Sequence, residues 1–525
     1  MKLKEALLFA VVLLAVSVCF ARATRIRYFT QALDEAYFRE SIDTTYSSGK
    51  SQTFLTASVV DALQSVIYQP AAEVCQGDLA HPRLESVSIY ERHAFPVLYP
   101  LALLRRFTGS LNILVLCAVI AFPGLLAIVY ALARRFRCPR WLGVVLVTLT
   151  AAHPAWSYSA FGQFYPDKLF PFFGLIYLGV LYEYLSGKRA SPWMLLISGV
   201  VAASTSERSA IMLAAATGAA LAWHSVRRGL RRADLAPLLL TIALILYLFG
   251  YMHYVQVNSD YAAFGDSAAD FVKSAVTGLS TDSRKFLAIN TGLLFPFALA
   301  GGMWTAVAAG SLLPNLIGTI GGAEKLGWFT HYHSAYLPFL LFSILAGAAL
   351  LFRRSPGLAR ICGALALAQA AIFLMLNPLT SQPLLDLSPS NLRQSALVQM
   401  VEFQTGTGPP AGHIARASFF QSVASLIPEG SEVSTTEFYM PALYDHGVHT
   451  IHFYPLGVGR SRFVVVPYAK LESGKLVYRG HISYLGPEVA EETNQCLTNR
   501  LNSAYRVAHM IEEFAGAGTA ILELK

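Results

Sequence analysis

The chain has 525 residues, of which 54% are apolar and 14% charged, with a mean hydropathy of +0.48. Soluble globular domains carry about 25% charged residues, so this composition excludes one and indicates a polytopic membrane protein. The formal charge of +8 does not indicate a nucleic-acid partner, because the arginines stand in short clusters between apolar segments.

Apolar stretches approaching the roughly 20 residues that span a bilayer recur at 5–20, 111–133, 141–157, 169–185, 192–205, 209–223, 235–255, 286–300, 303–320, 335–352 and 358–376. They predict an α-helical protein with about eleven transmembrane helices, several of them short enough to be tilted, paired or partly re-entrant. With a cytoplasmic N terminus, four basic clusters fall on one side, as the positive-inside rule asks. They are Arg134, Arg135, Arg137 and Arg140; Lys188 and Arg189; Arg227, Arg228, Arg231 and Arg232; and Arg353, Arg354 and Arg360. The same parity places 22–109, the loops 158–168, 206–208, 256–285 and 321–334, and the C-terminal tail on the outer side. Arg22, Arg25 and Arg27 after the first span run against that rule, and Ala21-Arg22-Ala23 also resembles a signal-peptidase site.

The polar stretch 22–109 opens with YFTQALDEAYFRESIDTTY (28–46), whose apolar residues at helical spacing predict a short helix against the membrane carrying Asp34 and Glu35. A second helix is expected over 54–69. The stretch ends in HAFPVLYPLALLRRF from His93, an amphipathic segment suited to the interface. Next, YSAFGQFYPDKLFPF (158–172) sets Asp167 and Lys168 at a membrane boundary, and a second outer turn sets Ser206, Glu207 and Arg208 between two spans. Ionisable residues at that depth are costly and suggest function, although a self-satisfied Glu-Arg pair ending two spans is the plainer reading. Further on, LPNLIGTIGGAEKLGWFTHYHSAYLPF from Leu313 brings His331, Tyr332 and His333 to the head of a span. These residue types bind phosphate and transfer protons. As zinc ligands they do not fit, since side chains at i and i+2 of a helix do not share a face.

From about Asn377 the composition is that of a soluble domain, giving 1–376 as a transmembrane domain and 377–525 as a soluble α/β domain. The tail reads helix, strand, helix, strand, strand, strand, helix and a terminal strand, with neither a phosphate-binding glycine loop nor a G-x-S-x-G elbow. Of six cysteines none forms a Cys-x-x-Cys pair. Cys75 and Cys496 both fall in outer segments, where an oxidising compartment allows them either to pair, tying the first loop to the tail, or to stay as thiols.

Several of these segments together resemble the bacterial membrane family catalogued as domain of unknown function 2079. They are the Asp34 loop, HAFPVLYPLALLRRF, FGQFYPDKLFPFFGLIYLGVLYEY, the Glu207 turn, and LPNL followed by HYHSAYLPF. The chain departs from that pattern in having Tyr165-Pro166-Asp167 in place of a His-Pro-Glu motif, which keeps the carboxylate and loses the imidazole. Of two aspartates in the family's first loop it keeps the later, as Asp34, with Phe29 near the earlier. The family is in turn similar to the GT-C superfamily of polytopic glycosyltransferases, which use sugars carried on polyprenyl phosphates.

What the resemblance implies is an inverting transfer at the outer face of a bacterial cytoplasmic membrane, with a polyprenyl-phosphate-linked sugar and membrane lipid as partners. Such a transfer needs a base for the acceptor hydroxyl and groups that neutralise the departing lipid phosphate. Asp34 is the candidate base. Glu35, about 100° away around the helix, is left to orient an arginine or to help hold a divalent metal. Lys168, Arg208, His331 and His333 are candidates for the phosphate, Asp167 and Glu207 for tuning those cations or binding sugar hydroxyls, and His93 and Tyr332 complete the substrate-binding set. For Asp34 the plain alternative is that it caps or solvates an interfacial helix. At the level of the whole chain, the rival classes are a lipid-linked sugar transporter or flippase and a non-catalytic envelope assembly protein. Against a transporter stand the absence of a visible inverted repeat and the gathering of charges at the outer boundary.

Overall fold

A computed structural model describes residues 74–75, 95–108, 112–152, 165–187, 190–229, 231–254, 295–317, 331–375, 419–436, 439–471, 473–480, 487–514 and 517–525. These divide into two compact units. One comprises 95–101 and the described residues from 112 to 375; the other comprises 74–75, 102–108 and the described residues from 419 to 525. The first predicted span, Asp34, Glu35 and His93 lie outside the described residues.

The described residues of the first unit form helices joined by short turns. Its elements are α1 (Leu98–Thr108, continuing into the second unit), α2 (Asn112–Arg135), α3 (Arg140–Ala152), α4 (Phe170–Leu185), α5 (Pro192–Ala203), α6 (Glu207–Arg228), α7 (Leu235–Tyr254), α8 (Phe295–Leu299), α9 (Met303–Ile317), α10 (Leu337–Arg354) and α11 (Pro356–Met375). Three-residue-per-turn segments, Pro166–Leu169 and His331–Ala335, lead into α4 and α10. Among the described residues three helical stretches are long and apolar enough to cross a membrane: Pro166–Leu185, Glu207–Arg228 and His333–Arg354. Shorter apolar helices are Arg140–Ala152, Pro192–Ala203, Leu235–Gly250 and Met303–Leu313.

Local chemistry fixes where these helices begin and end. The Ser191 side chain accepts a hydrogen bond from the Met194 amide, and Pro192 occupies the first helical position of α5. Ser206 caps α6 by accepting from the Ser209 amide at 3.1 Å, which starts that helix at Glu207, two residues before the predicted span. Glu207 in its first turn and Arg227 and Arg228 in its last both favour the helix dipole, and Gly229 follows in the left-handed region at φ +72°.

Because lipid is as apolar as the helix interior, close packing and hydrogen bonds rather than expulsion from water hold such helices together. Tyr177 of α4 and Thr217 of α6, both buried, meet hydroxyl to hydroxyl at 2.6 Å. Around α10 the side chains of Phe297, Trp304, Phe339 and Phe342 are almost wholly buried, and Trp304 meets Phe342 edge to face with ring centroids 4.6 Å apart. Between α8 and α9 the chain breaks at Gly301 and Gly302. The Ala298 carbonyl exposed by this break accepts from Ser343 at 2.9 Å and from Thr305. Trp193, Ile197, Val200, Leu239, Leu246 and Phe249 on α5 and α7 face outward, as lipid-facing side chains do.

The second unit is an α/β fold around a six-stranded mixed sheet: β1 (Glu432–Thr435), β2 (Thr450–Phe453), β3 (Phe463–Lys470), β4 (Leu476–Tyr478), β5 (Tyr505–Phe514) and β6 (Ala517–Leu524), in the order β2-β1-β3-β6-β5, with β4 also on β3. Strands β2, β1 and β3 run parallel; β3 with β6 and β6 with β5 run antiparallel. Among the described residues a helical turn at 419–424 and helices α12 (Met440–Asp445) and α13 (Pro487–Ala504) accompany it. The terminal strand expected from sequence is a pair, β5 and β6. Val464, Val465 and Val466 of β3 are wholly buried, which fits a central strand read as an unbroken apolar run. Cys75 and Cys496 are joined in a disulfide with their Cα atoms 6.0 Å apart.

Candidate functional site

The helical unit gathers its predicted site residues at the start of the three long spans. Asp167 and Lys168 lie in the turn before α4, Glu207 and Arg208 open α6, and His333 sits in the turn before α10. These starts share one end of the unit. The C-terminal ends of α4 and α6 meet where the Arg228 guanidinium donates to the Leu185 carbonyl, and their midpoints meet at Tyr177 and Thr217. At the other end, the Pro166–Leu169 turn packs on the His331–Ala335 turn, and Phe170 lies 5.9 Å from Phe339 ring to ring. The His331–Ala335 turn also touches α6. Asp167 is buried and Lys168 half-buried, as are Glu207 and Arg208.

His333 is deeper than its place at a span boundary suggests. It is 0% exposed, and its Nδ1 stands 3.0 Å from the hydroxyl of the equally buried Tyr336. That pairing fixes the imidazole plane, and the i, i+3 spacing was the sequence signal for it. Beside it Ser334 is buried with its hydroxyl oxygen unbonded among the described residues. Of His331 and Tyr332 the described structure gives the backbone, within the same turn.

Tyr247 of α7, a partly buried phenol that sequence reading did not single out, lies within electrostatic range of Glu207 and of Tyr99. The Val97 amide donates to the Ser204 carbonyl at 2.9 Å, which pins the start of α1 to the turn preceding Glu207. The Thr205 and Ser206 hydroxyls each hydrogen-bond to the Ser209 hydroxyl in that turn. The opposite end carries ion pairs: Arg135 with Glu183, and Arg228 with Asp234 at 3.2 Å.

The second unit holds a separate polar cluster. Glu432 Oε1 lies 2.7 Å from His452 Nε2 and 3.1 Å from Arg460 Nε. Burial pushes the His452 pKa down against the opposing pull of Glu432, and Arg460 lowers it further. The Tyr505 hydroxyl accepts from the Gly459 amide and donates to the Ser461 carbonyl, which secures the crossover from β2 to β3. Among the described residues no three His, Cys, Asp or Glu side chains are grouped to hold a metal ion.

No family model and no curated protein matches the chain, so the resemblance to the domain of unknown function 2079 family rests on its motifs. Among solved structures, ArnT from Cupriavidus metallidurans bound to undecaprenyl phosphate aligns over 99% of this chain and 98% of its own, at 12% identity and a TM-score of 0.51. The two chains share an overall fold, and the likeness runs through the helical unit and the C-terminal sheet alike. At this identity the likeness concerns fold and not reaction. The archaeal oligosaccharyltransferase AglB from Archaeoglobus fulgidus, solved with an inhibitory peptide and a dolichol-phosphate, covers 98% of this chain and 80% of its own at 12% identity, with a TM-score of 0.32 that establishes no common fold.

Proposed function

We propose that the chain is a membrane glycosyltransferase of GT-C type that transfers a sugar from a polyprenyl-phosphate donor to an acceptor at the outer face of a bacterial cytoplasmic membrane. The observation that carries the reading is the end-to-end likeness to a structure holding undecaprenyl phosphate, combined with Asp167, Lys168, Glu207, Arg208 and His333 at one end of the three long spans. In this reading the chain is a divergent relative of the domain of unknown function 2079 family, on the strength of LPNL and HYHSAYLPF, with about eleven crossings of the bilayer. The Cys75–Cys496 disulfide supports an oxidising, outer location for the C-terminal unit.

Chemically, Asp34 takes the proton of the acceptor hydroxyl as that oxygen attacks the anomeric carbon, and the bond from that carbon to the lipid phosphate breaks with inversion. The cations Lys168 and Arg208 hold the departing phosphate, and His331 and His333 assist from the turn before α10. Asp167 and Glu207 orient those cations or accept from sugar hydroxyls; His93 and Tyr332 line the substrate. Asp34→Asn should abolish incorporation from a radiolabelled polyprenyl-phosphate sugar while the protein still reaches the membrane. Undiminished incorporation removes Asp34 from the mechanism. Lipid and glycan profiling of a deletion strain identifies donor and acceptor.

A further inference from the structure

The last turn of α6 lies about 30 Å along the helix from Glu207, at about 1.5 Å per residue, and it carries a basic patch. Arg227, Arg228, Arg231 and Arg232 stand there with one carboxylate, Asp234. That carboxylate is buried and engaged at both oxygens, one accepting from the Arg228 guanidinium at 3.2 Å and the other from the Arg231 amide at 2.9 Å. The two bonds hold the turn 231–234, and so Arg231 and Arg232, beside the end of α6. Arg227 is placed by a different contact. Its guanidinium lies over the ring of Trp223, one helical turn back, 4.1 Å from the centroid. Stacking engages the face of a guanidinium and leaves its in-plane N–H donors for an anion. Arg227, Arg231 and Arg232 are exposed, and none of them has a carboxylate partner among the described residues. Three positive charges are therefore unbalanced. Beside them Val226 on α6 and Leu235 and Leu239 on α7 are exposed as well. Cations bordered by bare apolar side chains suit an amphiphile with an anionic head and acyl chains.

We propose that Arg227, Arg231 and Arg232, with Trp223, form a binding site for the headgroup of an anionic phospholipid whose acyl chains cover Val226, Leu235 and Leu239. Positive-inside parity sets this end of α6 in the cytoplasm, so the lipid belongs to the inner leaflet. Arg228 lies beneath the site as a tie, joining the end of α4 through the Leu185 carbonyl to the turn that opens α7 through Asp234. None of these residues takes part in the transfer proposed above.

The test titrates the full chain in neutral detergent with phosphatidylglycerol or with phosphatidylcholine of the same acyl chains, and counts bound lipid by native mass spectrometry. Each arginine beside an anionic headgroup contributes about fivefold, so three should favour phosphatidylglycerol by about a hundredfold. Arg227→Gln/Arg231→Gln/Arg232→Gln should bind the two lipids within about threefold of each other, and Arg227→Gln alone should weaken phosphatidylglycerol about fivefold. As a control, Arg354→Gln/Arg360→Gln removes two exposed cations from the end of α10 and the start of α11, and should leave the preference within about twofold of wild type. A wild-type chain that does not discriminate between the lipids overturns the site, and so does a control that loses as much as the triple variant. Should the triple variant not reach the membrane, Arg227→Gln decides, and unchanged affinity there overturns the site. Inorganic phosphate in millimolar excess should leave the lipid bound; displacement would make the ligand a free phosphate and overturn the lipid assignment.

Discussion

Replacing Gly347 by alanine tests how the span that carries the His333 turn is held. Gly347 faces the break between α8 and α9 so closely that a Cβ would overlap the Phe297 carbonyl oxygen and lie 2.8 Å from the Gly301 amide nitrogen. Both neighbours are backbone, so neither can swing away as a side chain would. The helices must separate, and the hydrogen bond from Ser343 to the Ala298 carbonyl, 2.9 Å long and one turn away, stretches with them. Overpacking costs about 1–3 kcal/mol, and an interhelical hydrogen bond in a membrane protein is worth about 0.6–1.7 kcal/mol. The better helix propensity of alanine returns about 1 kcal/mol, which leaves a net loss of about 1–4 kcal/mol. For a unit of this size the thermal midpoint falls by about 1–5 °C. The assay is tryptophan-fluorescence melting in detergent, with Gly310→Ala as control, since a Cβ there meets nothing within 4 Å. Equal midpoints for Gly347→Ala and Gly310→Ala would refute the packing argument.

Two further perturbations probe buried polar groups. His452 has a folded pKa depressed below its unfolded value of about 6.5 by burial; its contribution to stability is therefore present above pH 6.5 and lost as the pH falls through that value towards the folded one. The melting curve of His452→Gln should be flatter than wild type below pH 6.5 and parallel to it above, and curves parallel throughout would show that His452 does not carry the acid sensitivity. Gln369 of α11 is 1% exposed, with neither its amide nitrogen nor its oxygen hydrogen-bonded among the described residues. Gln369→Leu should raise stability by about 1–2 kcal/mol, measured by the same melting assay, and a lower midpoint would mean that the amide is satisfied in the membrane.

The helical segments were legible because crossing a bilayer demands a run of apolar residues, and the described residues carry helices over the later predicted stretches. Their edges were less legible. Ser206 as a cap moved the start of α6 to Glu207, and the Gly301–Gly302 break closes the apolar stretch before residue 300, with α8 ending at Leu299. In the tail, strand and helix order was readable from alternation and turn residues; the separation of β5 from β6 was not, because Tyr505–Phe514 mixes charges into its alternation. The charged members of the site announced themselves as ionisable residues beside spans. Tyr247 did not, since only tertiary packing brings a phenol so far along the chain within electrostatic range of Glu207. Likewise Cys75 and Cys496 could be placed in one compartment from sequence, but their separation of 421 residues left pairing to the fold.

Helix direction ties the sequence reading to the packing. Positive-inside parity makes the second, fourth, sixth and tenth predicted spans run the same way, because the basic clusters must share one side. The described helices obey this relation without reference to charge. The ends of α2 and α4 meet at Arg135 and Glu183, those of α4 and α6 at Leu185 and Arg228, and the starts of α4 and α10 at their two preceding turns. Parallel neighbours in a membrane need an odd number of crossings between them. Between α2 and α4 the expected crossing is α3, and between α4 and α6 it is α5. Between α6 and α10 the described helices α7 and α9 supply two, which leaves the stretch predicted over 286–300, of which Phe295–Leu299 is described, as the expected third. A topology without it would turn α10 over and carry His333 to the end that holds the Arg228–Asp234 pair, away from the Pro166–Leu169 turn on which its own turn is packed.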